Sequence, residues 1–146
     1  MNLHLFHVTM QHIERLSRAS IDDILEGKKK AEVVFLKERK PPLECISKCD
    51  EIYFQSRDGY AIAKAEVTCV KEFEDLTPET ATELLEAHKA AVLPTVLNTE
   101  RDIYFKYAML FYFEKVREIK PFFIDDSNNN GWIQTSDIDS LIKNGR

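Results

Sequence analysis

Four glycines in 146 residues leave little material for phosphate-cradling loops, and neither a P-loop nor a Gly-x-Gly-x-x-Gly dinucleotide pattern occurs. A Gly-x-Ser-x-Gly elbow is also missing, so the common nucleotide-hydrolysing, redox and serine-hydrolase folds are disfavoured. No apolar run approaches the roughly 18 residues that span a bilayer, and no membrane insertion is expected. Positive charge is in short supply as well. A net charge of −5 and an isoelectric point near 5.4 argue against wrapping duplex nucleic acid, which relies on many lysines and arginines to neutralise phosphates. Three cysteines make an odd count, and the Met-Asn-Leu start shows no charged-then-apolar leader, so a cytoplasmic, reduced protein is the expectation. Cys45 and Cys49, with His4, His7, His12 or His88, make only a weak zinc pattern, and small packed thiols account for them better. Neither a metal nor a cofactor is expected.

A chain of this length, 44% hydrophobic, suits one domain over 1–146 with 134–146 as a C-terminal tail. Leu3–Val8 reads as a short strand. Thr9 is placed to cap a helix carrying Met10, Ile13 and Leu16 on one face, and Ser20 to cap a second helix that ends at Gly27. Ala31–Leu36 is β-branched and aromatic and stops before Pro41-Pro42. Residues 51–55 and 60–70 flank Asp58-Gly59, a hairpin signal. Thr77-Pro78-Glu79 starts a helix with Ala81, Leu84, Leu85, His88 and Val92 on one face. Residues 103–119 are unusually aromatic and predict a long central strand in their second half. Lys120–Ile124 closes the core, Asp126–Gly131 is a polar loop, and a short helix is expected within 137–143.

The charge is unevenly spread. Residues 28–48 hold seven basic side chains against three acidic, whereas residues 72–102 hold eight acidic against two basic. The basic flank opens with Gly27-Lys28-Lys29-Lys30-Ala31-Glu32-Val33-Val34, where a helix hands over to a strand through three lysines and a glutamate. A positive turn at the mouth of a small domain suits an anionic ligand. The same residues also suit a plain glycine-capped helix with lysines at the negative end of its dipole.

In this order the elements resemble the ASCH domain family of PUA-like β-barrels. The family has a helix ending in Gly-x-Lys-x-x-Glu-x-Arg; Gly27, Lys29 and Glu32 match, and Val34 stands where the family has Arg. A following Gly-Asp-x-Ile-x-Phe matches at Asp50, Ile52 and Phe54, with Cys49 in place of Gly. The valine-bearing Ala65–Val70, the segment Lys120–Ile124 and Trp132 extend the likeness over residues 3–133. The resemblance implies an α+β fold, a small mixed β-barrel flanked by a few helices. It further implies a cleft over the Gly-x-Lys turn that binds RNA or nucleotides, a few relatives being enzymes on RNA or modified nucleosides.

For this chain the ligand-binding candidates are Gly27, Lys28, Lys29, Lys30, Glu32, Arg39, Lys40 and Trp132. Lys29 and Glu32 are the catalytic pair if the protein is an enzyme. Lys28, Lys30, Lys37, Arg39 and Lys40 either track a phosphate backbone or line a solvated loop. The aromatic run 104–113 either stacks bases or fills the core, and Trp132 either faces ligand or plugs the barrel end. Val34 cannot replace a bidentate guanidinium, and Arg39, Arg57 and Arg117 are the conceivable donors. Three functions are open: an RNA- or nucleotide-binding module, a small hydrolase using Lys29 and Glu32, and a protein-interaction module whose ancestral site has decayed.

Overall fold

A computed structural model describes residues 9–93, 105–125 and 132–142. The expected strand at Leu3–Val8, the Asn tract and the start of the aromatic run lie outside these residues. In chain order the elements are β1 (Gln11–Arg15), α1 (Arg18–Leu25), β2 (Ala31–Leu36), β3 (Glu51–Gln55) and β4 (Tyr60–Phe73). They continue with α2 (Pro78–Ala87), α3 (Lys89–Val92), β5 (Tyr107–Phe123), β6 (Ile133–Thr135) and a 3-10 turn at Ile138–Leu141. The strands form one mixed sheet in the order β2-β5-β4-β3-β1-β6. Among the described residues β1 and β3 pair parallel and the other strand pairs are antiparallel.

The sheet curls into a half-barrel. Trp132, next to β6, has its ring 6.0 Å from that of Phe111 on β5, although four strand spacings of about 4.8 Å would separate β5 and β6 in a flat sheet. Alternation along β2 and β5 sorts side chains between the two faces. Val34, Leu36, Met109, Phe111 and Phe113 point inward to meet Ile52, Phe54 and Val67, and α1 closes this core with Ile21 and Ile24. Ala31, Ala108 and Leu110 point outward and are covered by Leu84, Leu85 and Val92 of α2 and α3. A third cluster joins Ile13, Tyr53, Ala61, Ile124 and Ile133.

The hairpin and the helix start are as the sequence predicts. Gly59 takes φ +99°, and a β-carbon there would lie 2.5 Å from the Phe123 ring, so only glycine fits. Thr77 and Thr80 cap α2 reciprocally, with Pro78 in its first turn. The central strand β5 is long, and Pro121 falls in the irregular stretch where the β4–β5 register jumps from Phe122 to Glu118, a position at which proline is tolerated.

Three expectations are corrected. The spacing of Met10, Ile13 and Leu16 predicts a helix, yet residues 11–15 are a strand, because pairing to β3 and β6 on both sides outweighs a weak local period. The cap of α1 is Ser17, not Ser20: Ser17 Oγ accepts from the Ser20 N–H at 3.2 Å, starting the helix early enough to bury Ile21 and Ile24. In the tail, Asp137 caps only the four-residue 3-10 turn.

Candidate functional site

The lysine turn is fixed by backbone hydrogen bonds on three sides. Gly27 takes φ +79°, and a β-carbon added there would meet no atom within 4 Å, so backbone conformation alone selects glycine. The Asp23 carbonyl accepts from both Lys28 and Lys29 N–H groups, at 2.9 and 3.0 Å. Lys30 N–H donates to the Ala91 carbonyl of α3 at 2.8 Å, and the Lys30 carbonyl accepts from Phe113 N–H at 3.2 Å. Helix α3 thereby anchors the start of β2.

The three lysine side chains part company. Lys28 is exposed and pairs with Glu26 at 2.9 Å, an interaction worth little in water. Lys30 is exposed and has no ion-pair partner among the described residues. Lys29 turns inward, with Nζ 2.7 Å from Glu32 Oε2, and the two side chains are 11% and 7% exposed. At that separation the pair joins opposite charges within hydrogen-bond distance.

Glu32 lies opposite Phe111 in the β2–β5 ladder, on the inward face. Burial raises its carboxyl above the usual carboxylate range, and Lys29 opposes that shift. A second carboxyl shares this interior: Glu14 of β1 is buried, and its Oε1 has no hydrogen-bond partner among the described residues. Burial holds Glu14 well above the carboxylate range, the charge of Glu32 pushes the same way, and Lys29 pulls it back. One buried cation therefore serves two buried carboxyls.

Two residues before Glu14, on the same face of β1, lies His12. Its Nε2 is 2.8 Å from Asp50 Oδ2, and its Nδ1 accepts from Trp132 Nε1–H at 2.8 Å. Burial lowers the His12 pKa against the opposing pull of Asp50. Trp132 is half-buried and packs edge-on against Phe111, so it belongs to the same interior as Glu32.

The remaining candidates lie elsewhere. Arg39 and Lys40 follow the far end of β2, whose six residues put about 17 Å between its ends. Arg39 is held there by Glu44 and Glu74 and covers the Tyr107 ring. The Arg position of the family pattern, Val34, is packed in the main core. Cys49, the family's glycine position, keeps a left-handed backbone at φ +79°. Among the described residues no three His, Cys, Asp or Glu side chains gather to hold a metal, and no helix is long and apolar enough to cross a membrane.

Sequence reasoning singled out Lys29, Glu32 and Trp132, weighed His12 only as one partner in a weak zinc pattern, and missed Glu14. Their signal was the polar pair His12/Glu14 alternating with Gln11, Ile13 and Arg15, a strand period hidden by the helical spacing of the apolar residues.

No protein-family model and no curated protein matches the sequence. Solved structures are. The ASCH protein from Zymomonas mobilis is similar at a TM-score of 0.61 and 14% identity, over 91% of this chain and 96% of that one. A serine-to-alanine mutant of that protein aligns at 0.62 and 14% over the same shares, and a tyrosine-to-phenylalanine mutant at 0.62 and 15% over 91% and 99%. The half-barrel that encloses Lys29, Glu32 and Glu14 is thus an ASCH-like fold.

Proposed function

We propose that the chain binds RNA or a nucleotide-like ligand in a cleft bordered by the Gly27–Lys30 turn, Glu32 and Trp132. The observation that carries this reading is Lys29, drawn inward against Glu32 at the base of the turn in a fold similar to ASCH proteins. Lys28 and Lys30 stand exposed around it and supply the point charge that a phosphate needs. Arg39 and Lys40, at the far end of β2, extend the basic side of the protein rather than the cleft. The net charge of −5 favours a short single strand or a free nucleotide over a long duplex. Three unpaired cysteines suit a cytoplasmic setting.

A second reading, a small hydrolase of RNA or a modified nucleoside, is favoured by the same pair. A lysine amine at 2.7 Å from a buried carboxylate can pass a proton to it or attack an electrophile once deprotonated. The third, an interaction module with a decayed site, is supported by Val34 and Cys49 standing where the family has Arg and Gly.

The test is binding and turnover of short single-stranded RNAs and modified nucleosides at two salt concentrations, with Lys29→Ala and Lys29→Arg in parallel and folding followed by circular dichroism. If two phosphates are contacted, raising salt fourfold weakens binding by about sevenfold. Binding lost in Lys29→Ala but kept in Lys29→Arg, without product, supports the binding module. Product formed by the wild type and abolished by Lys29→Arg supports the enzyme, because a guanidinium stays protonated. No binding and no product overturns both in favour of the interaction module.

A further inference from the structure

Trp132 is half-buried, and its one polar ring atom is turned inward. Nε1–H donates to His12 Nδ1 at 2.8 Å, and His12 Nε2 lies 2.8 Å from Asp50 Oδ2. His12 is 0% exposed and Asp50 1%. Asp50 is fixed in turn by the Met10 and Ser47 N–H groups. Each link sets the next: a carboxylate only accepts, so Nε2 donates to it, and Nδ1 is left as the acceptor for the indole. A chain of bonds therefore runs from the backbone, through a dyad shut off from solvent, to the nitrogen edge of one aromatic ring.

A plug for the barrel end does not call for this. Burying an imidazole and a carboxylate costs free energy that only complete hydrogen bonding offsets, and apolar side chains of similar volume often do as well. Packing is already supplied by Phe111, whose ring centre is 6.0 Å away at an interplanar angle of 78°. What a satisfied polar chain adds is a single arrangement, in this case one orientation of the indole plane. With its N–H spent on His12, Trp132 has only aromatic surface to offer a ligand. Phe111 is the ladder partner of Glu32, so that surface stands one ring away from the Lys29–Glu32 pair.

We propose that His12 and Asp50 are positioning residues that lock Trp132 as a stacking wall for a nucleobase, leaving the phosphate to the lysine turn. The inference rests on the RNA or nucleotide reading above and adds which part of the ligand Trp132 takes. Stacking tolerates any base, because every base has a π-face. The device therefore distinguishes a base from no base rather than one base from another.

The experiment measures that distinction. Dye-labelled oligo-A, oligo-U and an abasic strand of the same length are titrated by anisotropy into the full chain, as wild type, Trp132→Ala, His12→Leu and His12→Gln, with folding followed by circular dichroism. The readout is the ratio of base-bearing to abasic affinity. A loss of stability alone does not move that ratio, since both kinds of strand meet the same folded fraction. The wild type is expected to prefer oligo-A and oligo-U by about tenfold, within the range of a base stacked on an aromatic side chain. Trp132→Ala and His12→Leu should bring the ratio down to about twofold or less, whereas His12→Gln, whose amide has one donor and one acceptor, keeps it within about threefold of wild type. If His12→Leu does not fold, Trp132→Phe takes its place: a ring stays, the donor is gone, and the preference is expected to fall to about threefold or less. A His12→Leu or Trp132→Phe protein with the wild-type ratio, or a His12→Gln protein that loses it as fully as His12→Leu, overturns the positioning role. Trp132→Ala with the wild-type ratio, or a wild type that binds all three strands alike, overturns the stacking wall while phosphate binding at the turn stands. A wild type that binds no strand overturns the nucleic-acid reading, and the positioning role falls with it.

Discussion

Trp132 Nε1 donates to His12 Nδ1 at 2.8 Å across 120 residues of sequence, and this one bond fixes the state of a buried histidine. An indole N–H only donates, so Nδ1 must be the acceptor and Nε2 must carry the proton that goes to Asp50. Asp50 also accepts from Met10 N–H and Ser47 N–H, at 3.1 and 2.9 Å. Three segments of the chain, around Met10–His12, Ser47–Asp50 and Trp132, meet at a neutral imidazole.

Trp132→Phe keeps an aromatic ring against Phe111 and removes the donor. We expect a loss of about 1–2 kcal/mol from the orphaned Nδ1, read by urea unfolding. Nitrogen NMR of the imidazole should show His12 titrating at higher pH than in the wild type, since Nδ1 is then free to take a proton.

Stability should rise with pH through the His12 titration and fall with pH through those of Glu14 and Glu32. His12 has a folded pKa below its ordinary 6.5, so its contribution is present above pH 6.5 and is lost as pH falls through the folded value. Glu14 and Glu32 have folded pKa values above their ordinary 4.5, so their contribution is full below pH 4.5 and is lost as pH rises through the folded values. Melting curves across pH should show both limbs, and Glu14→Gln should flatten the alkaline one.

Removing Lys29 leaves two buried carboxyls without a cation. Lys29→Ala is expected to cost about 3 kcal/mol or more at neutral pH, and Lys29→Ala/Glu32→Gln to recover much of that loss. A double-mutant cycle by chemical denaturation checks the coupling. Additive effects would show that the pair is not held together in solution.

Cys49 holds a left-handed backbone, φ +79°, and its N–H donates to the Val67 carbonyl at 2.8 Å. A β-carbon there costs about 1–2 kcal/mol, part of which glycine returns as unfolded-state entropy. Cys49→Gly should therefore stabilise by about 1 kcal/mol, seen as a higher melting temperature with the pairing of Glu51 and Glu66 unchanged.

How much of this was legible depended on how local the cause was. Asp58-Gly59 and Thr77-Pro78 act on residues no more than a few positions away, and both the hairpin and the capped helix are where the sequence predicts them. Lys29 and Glu32 are three residues apart, and their pairing was readable for the same reason. By contrast, β1 is a strand because residues 51–55 and 133–135 bond to it on either side, and no window around Gln11–Arg15 contains those partners. Glu14 was invisible on the same account: a glutamate between Ile13 and Arg15 reads as solvent-facing until the curl of the sheet brings β2 over it. The pairing of Lys28 with Glu26 across the turn was not read from the sequence.

The parallel register of β1 on β3 has a consequence for the order of events during synthesis. A parallel partner cannot be reached by a tight turn, so β1 waits while α1, β2 and the loop to β3 are made, and its other side waits for β6. During that interval β1 presents an unpaired edge to the cellular milieu. Contacts of such long sequence separation are slow to form. Arrival of Trp132 and Ile133–Thr135 on β1, more than a hundred residues after β1 itself was made, is thus the step that seats His12 and Glu14 in the interior of the half-barrel.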